Sequence, residues 1–222
     1  VANYTDYQET IGKCNWTRIY TTNYDDTMEK IAQKNGRVLT PVTLSSSLRE
    51  FQDKSDTVVH LNGSVSNLTS TSLSEEFKLT SSSYLTQSFL KSEWLSLFRY
   101  DLKDCDAIFF VGYSLAYDLD IKRLINEDPN IKAKTFFILS ENEKMSRLKI
   151  IGRFGTPLTI GVEGFAKMIS KQYSNYISPV IKYKKPLLCF FKFPPKKNRP
   201  KIQDNSIWDL FFKGIPDLGI LK

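Results

Sequence analysis

Three short stretches carry residue types from which a polar reaction site can be built. The first is Thr21-Thr22-Asn23-Tyr24-Asp25, which sets an amide and a carboxylate two residues apart. The second is VVHLNGS, residues 58–64, with His60, the only histidine in 222 residues, just ahead of Asn62 and Gly63. The third is Gly112-Tyr113-Ser114, with Asp118 and Asp120 shortly beyond. An imidazole changes charge nearest neutral pH, which makes His60 a candidate general base. An amide orients water or a hydroxyl, and a carboxylate accepts from one. Each stretch also has a plainer reading. His60 is a hydrogen-bonded core residue at the end of an apolar run, Asn23 or Asp25 caps the next helix, and Gly112 with Ser114 is ordinary turn chemistry.

The three stretches gain weight from what precedes each of them. WTRIYTT (16–22), TVVHL (57–61) and AIFFVG (107–112) read as strands, so each polar cluster stands at a strand's carboxyl end. AIFFVG is an unbroken apolar run, the pattern of a strand covered on both faces. Between and after these strands the period changes to that of helices. DDTMEKIAQKNG has acids in its first turn, Met28, Ile31 and Ala32 on one face, and Gly36 as a stop. Residues 83–104 form an amphipathic helix, broken at most once, with Phe89, Leu90, Trp94, Leu97 and Phe98 inward. Helices over 118–126, near 142–153 and near 163–176 alternate with strands KTFFIL (134–139) and PLTIG (157–161). The serine-rich stretch 66–75 reads as a surface loop. This alternation predicts an α/β fold: a doubly wound, mainly parallel sheet with helices on both faces. In such sheets ligands bind beyond the carboxyl ends of the strands.

Composition narrows the classes. Residues 182–222 hold ten of the 31 Lys and Arg and three of the 24 Asp and Glu, leaving residues 1–181 with 21 of each. The body is neutral and the tail carries the whole excess of +7. Nucleic acid is therefore not expected as a partner of the body, and the tail holds no RNA- or DNA-binding module. No stretch reaches the roughly 18 apolar residues of a membrane span. Three widely spaced cysteines (Cys14, Cys105, Cys189) suit neither a disulfide framework nor a zinc site. A reducing cytoplasm is the simplest compartment. Without an initiator methionine, the chain reads as a piece of a longer protein. We expect one domain over 1–181, a basic Pro/Lys-rich linker over 182–206, and the start of a further module over 207–222.

Taken together, TTNYDDTME (21–29), VVHLNGS, the tyrosine of SSSYL (81–85) and FFVGYSLAYDLDIKRL (109–124) resemble the sirtuin-like NAD hydrolase domains of bacterial anti-phage defence proteins. The resemblance implies a Rossmann-like sheet with NAD as substrate. It implies cleavage of the nicotinamide–ribose bond as the activity and depletion of NAD in infected cells as the outcome. It implies Asn23 and His60 as the catalytic pair, Asn23 orienting the ribose or the attacking water and His60 acting as base. Thr22, Asp25, Asn62, Gly63, Gly112, Ser114 and Asp118 would line the NAD site. A homo-oligomer, a phage-derived trigger and a downstream NTPase sensor or helical repeat domain are expected with it.

Two departures from the family pattern stand out. The family's glycine-rich turn of the G-A-G type, which follows its first strand, is absent, so the fold is expected to lack that strand and turn. The family's histidine stands directly before the glycine, whereas here Asn62 does and His60 lies two residues earlier. The zinc cysteines of protein-deacylating sirtuins are missing too, so no zinc and no deacylation are expected. Two readings stay open at this point. Either His60 serves as the base and Asn62 positions the ribose, or Asn62 holds the catalytic position and His60 is a core residue. The alternative function is a degenerate domain that binds or senses NAD or ADP-ribose without turnover.

Overall fold

The computed structural model describes residues 4–14, 16–51, 56–75, 77, 88–113, 115, 119–176 and 187–191. Among them seven strands form one sheet: β1 (Arg18–Thr21), β2 (Thr40–Thr43), β3 (Thr57–His60), β4 (Ala107–Val111), β5 (Thr135–Ile138), β6 (Thr156–Leu158) and β7 (Leu187–Phe191). Their spatial order is β2-β3-β1-β7-β4-β5-β6, and every pairing is parallel. The expected Rossmann-like, doubly wound α/β sheet is therefore present. All residues of β1, β3, β4 and β5 are buried; in β4 this matches its unbroken apolar run, whereas β1 and β3 also bury the polar Arg18, Thr21, Thr57 and His60. The two edge strands each contain a proline, Pro41 in β2 and Pro157 in β6. A residue without an N–H is tolerated at an edge and discourages further strand pairing there.

The two faces of the sheet carry separate cores. One gathers Tyr20, Val59, Phe98, Phe110 and Phe137, and the other Ile19, Val58, Phe109, Ile138 and Phe165. Alternate residues of one strand thus enter opposite layers, as the period of two demands. Helix α1 (Asp6–Gly12), α2 (Thr27–Lys34) and α6 (Gly161–Tyr176) supply residues to the second face. The predicted helix over 83–104 is described from residue 88 onward and is broken once, into α4 (Ser88–Lys91) and α5 (Trp94–Asp104). Within the expected loop 66–75, Ser70–Glu75 forms a short helix, α3. Leu68 and Leu73 are the only large apolar residues of this stretch, and both are exposed, so no apolar face marks the helix in the sequence.

The centre of the sheet differs from expectation. Strand β7 lies between β1 and β4, with Tyr20 opposite Phe190 and Phe109 opposite Cys189. That is the position the usual 3-2-1-4-5-6 order gives to the first strand, so the expected gap is filled from the C-terminal side. Residues 187–191 also fall inside the stretch expected to be linker. The reason is local: LLCFF is a five-residue apolar run inside a basic, proline-rich surround. Such a run suits a central parallel strand, whatever the charge of its flanks. No glycine-rich turn follows it; the next residues are Lys192, Phe193, Pro194 and Pro195. The expected further module, 207–222, lies outside the described residues.

A polar network is buried at the opposite end of β1 from the candidate site. The Arg18 Nε donates to Asp101 Oδ2 at 2.9 Å, and Arg18 Nη1 donates to the Thr57 hydroxyl at 2.6 Å. The Tyr20 hydroxyl donates to the same Asp101 oxygen at 2.7 Å. Burial, and then the neighbouring Asp101 charge, push the Tyr20 phenol well above its ordinary pKa, so it stays a donor. Cys14 and Cys105 are buried free thiols, each pushed up to about 12 by burial. Thiolate is the reactive form. We therefore expect a maleimide to leave both cysteines unmodified in the native protein and to label them after denaturation, as read by peptide mass spectrometry.

Candidate functional site

The carboxyl ends of β1 and β3 lie side by side, with Thr21 opposite His60. The chain leaving β1 is held by the chain leaving β3 through four consecutive carbonyls. Thr21 O accepts from the Leu61 N–H at 2.8 Å, and Thr22 O from Asn62 Nδ2 at 3.2 Å. Asn23 O faces His60 Nδ1 at 3.0 Å, and Tyr24 O accepts from the Val65 N–H at 2.8 Å. The Thr21 hydroxyl adds a bond from the Asn23 N–H at 3.0 Å. Backbone acceptors at a strand end have lost their ladder partners and need others. Here the second polar cluster supplies them to the first.

His60 is fully buried on the face shared with Val58, beneath α2. Its Nε2 meets Glu29 Oε1 of α2 at 2.8 Å. Both ring nitrogens thus face acceptors. An imidazole so placed is satisfied as an imidazolium donating twice, or as a neutral ring beside a protonated carboxyl. In either form no nitrogen lone pair is open to a ligand. Asn62 is also buried, and its amide is engaged on Thr22. Strand β3 stops at His60, so the rule that residues two apart share a face does not extend to Asn62. The two side chains nevertheless converge on neighbouring carbonyls of the same loop.

What remains uncommitted is informative. Among the described residues the hydrogen bonds of Asn23 are made by its main chain, through N–H and C=O, and its side-chain amide takes no part in them. A small hollow of about 10 Å³ is lined by Thr21, Asn23, Asp25, Glu29, Val58 and His60, room for about one water-sized group. Glu29 Oε2 and the Thr22 hydroxyl are buried with no hydrogen-bond partner among the described residues. Asp25 accepts the Thr27 N–H at 3.1 Å, but the N-cap of α2 is Asp26, whose side chain makes no capping bond, so neither Asn23 nor Asp25 is the helix cap weighed from the sequence.

Gly63 and Gly112 both have positive φ, at 96° and 68°. A Cβ on Gly63 would lie 2.8 Å from the Phe77 ring, and that ring stacks on Tyr24 at 5.2 Å between centroids. Gly63→Ala therefore meets both a left-handed backbone and a closed wall. We expect a loss of roughly 1–3 kcal/mol, measurable as a lower urea midpoint with an unchanged slope. Gly112 closes β4, two strand spacings from β1, or roughly 10 Å across the sheet. Ser114, Asp118 and Tyr84 lie outside the described residues.

Glu29 is the site residue that sequence reasoning missed. It reads there only as an acid in a first helical turn. The available signal was the lone buried histidine itself, which needs partners, and the nearest helix offers a carboxylate. Among the described residues no group of three or more His, Cys, Asp or Glu side chains is placed to hold a metal ion, and no helix is long and apolar enough to cross a membrane.

A family model described as "SIR2-like domain" matches residues 17–151, more than half of the chain. The match takes in β1 to β5 and both strand-end clusters described above. No curated protein and no solved structure matches the chain significantly.

Proposed function

The chain belongs to the SIR2-like domain family, and from that premise we propose that it binds NAD over the carboxyl ends of β1, β3 and β4 and hydrolyses the nicotinamide–ribose bond. In this reaction the ribose C1′–N bond breaks and its electron pair returns to the pyridine ring, so nicotinamide leaves neutral. A water oxygen bonds to C1′, and its proton goes to solvent. The leaving group is already cationic before cleavage, so the chain's task is orientation and stabilisation of the oxocarbenium-like ribose rather than strong acid or base chemistry.

The single observation that carries this reading is that the side-chain amide of Asn23 has no hydrogen-bond partner among the described residues. Its backbone is fixed on both sides, while the amide is left for a ribose hydroxyl or the attacking water. The wider role we infer is that of an effector in anti-phage defence, acting in the cytoplasm with a sensor or repeat domain attached. The motif resemblance supports that role.

A second reading, NAD or ADP-ribose binding without turnover, draws on one specific observation. Asn62 stands directly before Gly63, and both nitrogens of His60 are engaged by protein acceptors. One assay separates the two readings. Intact protein is incubated with NAD, and nicotinamide and ADP-ribose are quantified by chromatography. Equal release of the two products supports hydrolysis, whereas saturable binding of ADP-ribose with no release supports the sensor.

A further inference from the structure

We propose that Glu29 and His60 form a positioning pair that holds Asn23 in its ligand-facing conformation, and that His60 is not the base. The inference rests on the proposed NAD reading and deepens it. The chain of contacts runs from the Glu29 carboxylate to His60 Nε2 at 2.8 Å, and from His60 Nδ1 to the Asn23 carbonyl at 3.0 Å. The imidazole is fully buried, and the Glu29 side chain is 13% exposed. A general base needs a lone pair within reach of the water it activates. Here one nitrogen is taken by a carboxylate and the other by a carbonyl, so the ring offers none. The ring instead does for Asn23 what the Asn62 amide does for Thr22: it secures a carbonyl of the loop after β1. Glu29 belongs to α2, the helix that this same loop enters. The carboxylate therefore ties the loop's exit to the end of β3 through the ring. A fixed main chain at Asn23 limits where its side-chain amide can point.

Asparagine at position 60 distinguishes positioning from proton abstraction. The Nδ2 of an asparagine falls close to where His60 Nδ1 lies, so it can still donate to the Asn23 carbonyl. An amide cannot accept a proton at neutral pH. In the intact protein, His60→Ala is expected to lower kcat for nicotinamide release by about 10²-fold, the size of effect that a displaced catalytic group produces, and Glu29→Ala, which leaves the ring able to donate to the Asn23 carbonyl, by a smaller factor. His60→Asn should recover most of that loss and keep the pH–rate profile of the wild type. The melting temperature is measured for each variant, so that lost folding is not read as lost positioning. If His60→Asn is as inactive as His60→Ala while both stay folded, the ring is the base and the inference is overturned.

If the wild type binds ADP-ribose but releases no nicotinamide, the turnover reading fails on its own. The pair is then read by calorimetry with ADP-ribose. Weaker binding in His60→Ala, restored in His60→Asn, supports positioning, and unchanged binding in His60→Ala refutes it. A wild type that neither binds nor turns over NAD overturns both the function and the pair.

Discussion

Asn23→Ala is expected to lower nicotinamide release from NAD by about 10²–10³-fold, the cost of removing one oriented polar group from a reacting centre, with the melting temperature essentially unchanged. Both halves follow from the same bonds. The loop after β1 is held through the main chain of Asn23, by the Thr21 hydroxyl on its N–H and by His60 on its carbonyl. Alanine keeps both contacts. It also keeps those on the flanking carbonyls of Thr22 and Tyr24. What disappears is an amide that no described protein group uses, and a change of that kind normally costs under about 0.5 kcal/mol. Steady-state kinetics and a thermal melt on the same preparation check both halves. Normal turnover in the variant would reduce Asn23 to a turn residue. A large fall in melting temperature would show that its side chain serves the fold.

The second large effect concerns stability alone. Asp101→Ala is expected to destabilise the protein by about 3–5 kcal/mol, or roughly 6–20 °C in Tm for a chain of this size. The variant leaves the Arg18 guanidinium, about 4% exposed, without its carboxylate. It also takes the acceptor from the Tyr20 hydroxyl. Burial raises the Asp101 carboxyl above its ordinary pKa, and the Arg18 charge and the hydrogen bonds from Tyr20 and Arg18 only partly offset this. A carboxyl raised on folding favours the folded state while it is protonated, and that contribution fades as pH climbs past the usual aspartate range. At neutral pH the charged pair is thus held at a desolvation cost. Replacing both partners, as in Arg18→Met with Asp101→Leu, should recover most of the single variant's loss. A double variant as unstable as Asp101→Ala would show that the network contributes more than charge pairing. Chemical denaturation of the three proteins decides the matter.

How much of this can be read from the chain depends on the range of the interactions involved. The AIFFV strand, the alternation of strands and helices, and the polar clusters at two strand ends follow from local periodicity and stand where the sequence places them. Strand β2 does not: four residues including Pro41 give too weak a pattern, and the proline is tolerable only because the strand lies at an edge. Strand β7 is hidden by its flanks, since lysines and prolines dominate the composition around five apolar residues. Helix α1 has a readable signal, a capping box in which Thr5 and Gln8 bond each other's backbone N–H.

The pairings at the two ends of β1 are of another kind. Arg18 and Asp101 are 83 residues apart, and Glu29 and His60 are 31 apart. Nothing local predicts which helix face lies over which strand. The role of His60 therefore stays open between base and core residue until the sheet order and the position of α2 are known.

The most direct test of the central claim is a crystal structure of the intact protein with ADP-ribose. The account predicts one ligand per chain over the carboxyl ends of β1 and β3, with a ribose hydroxyl within hydrogen-bond distance of the Asn23 side-chain amide and His60 still bridging Glu29 and the Asn23 carbonyl. A ligand bound elsewhere on the chain, or an Asn23 amide turned away from it, would contradict the account.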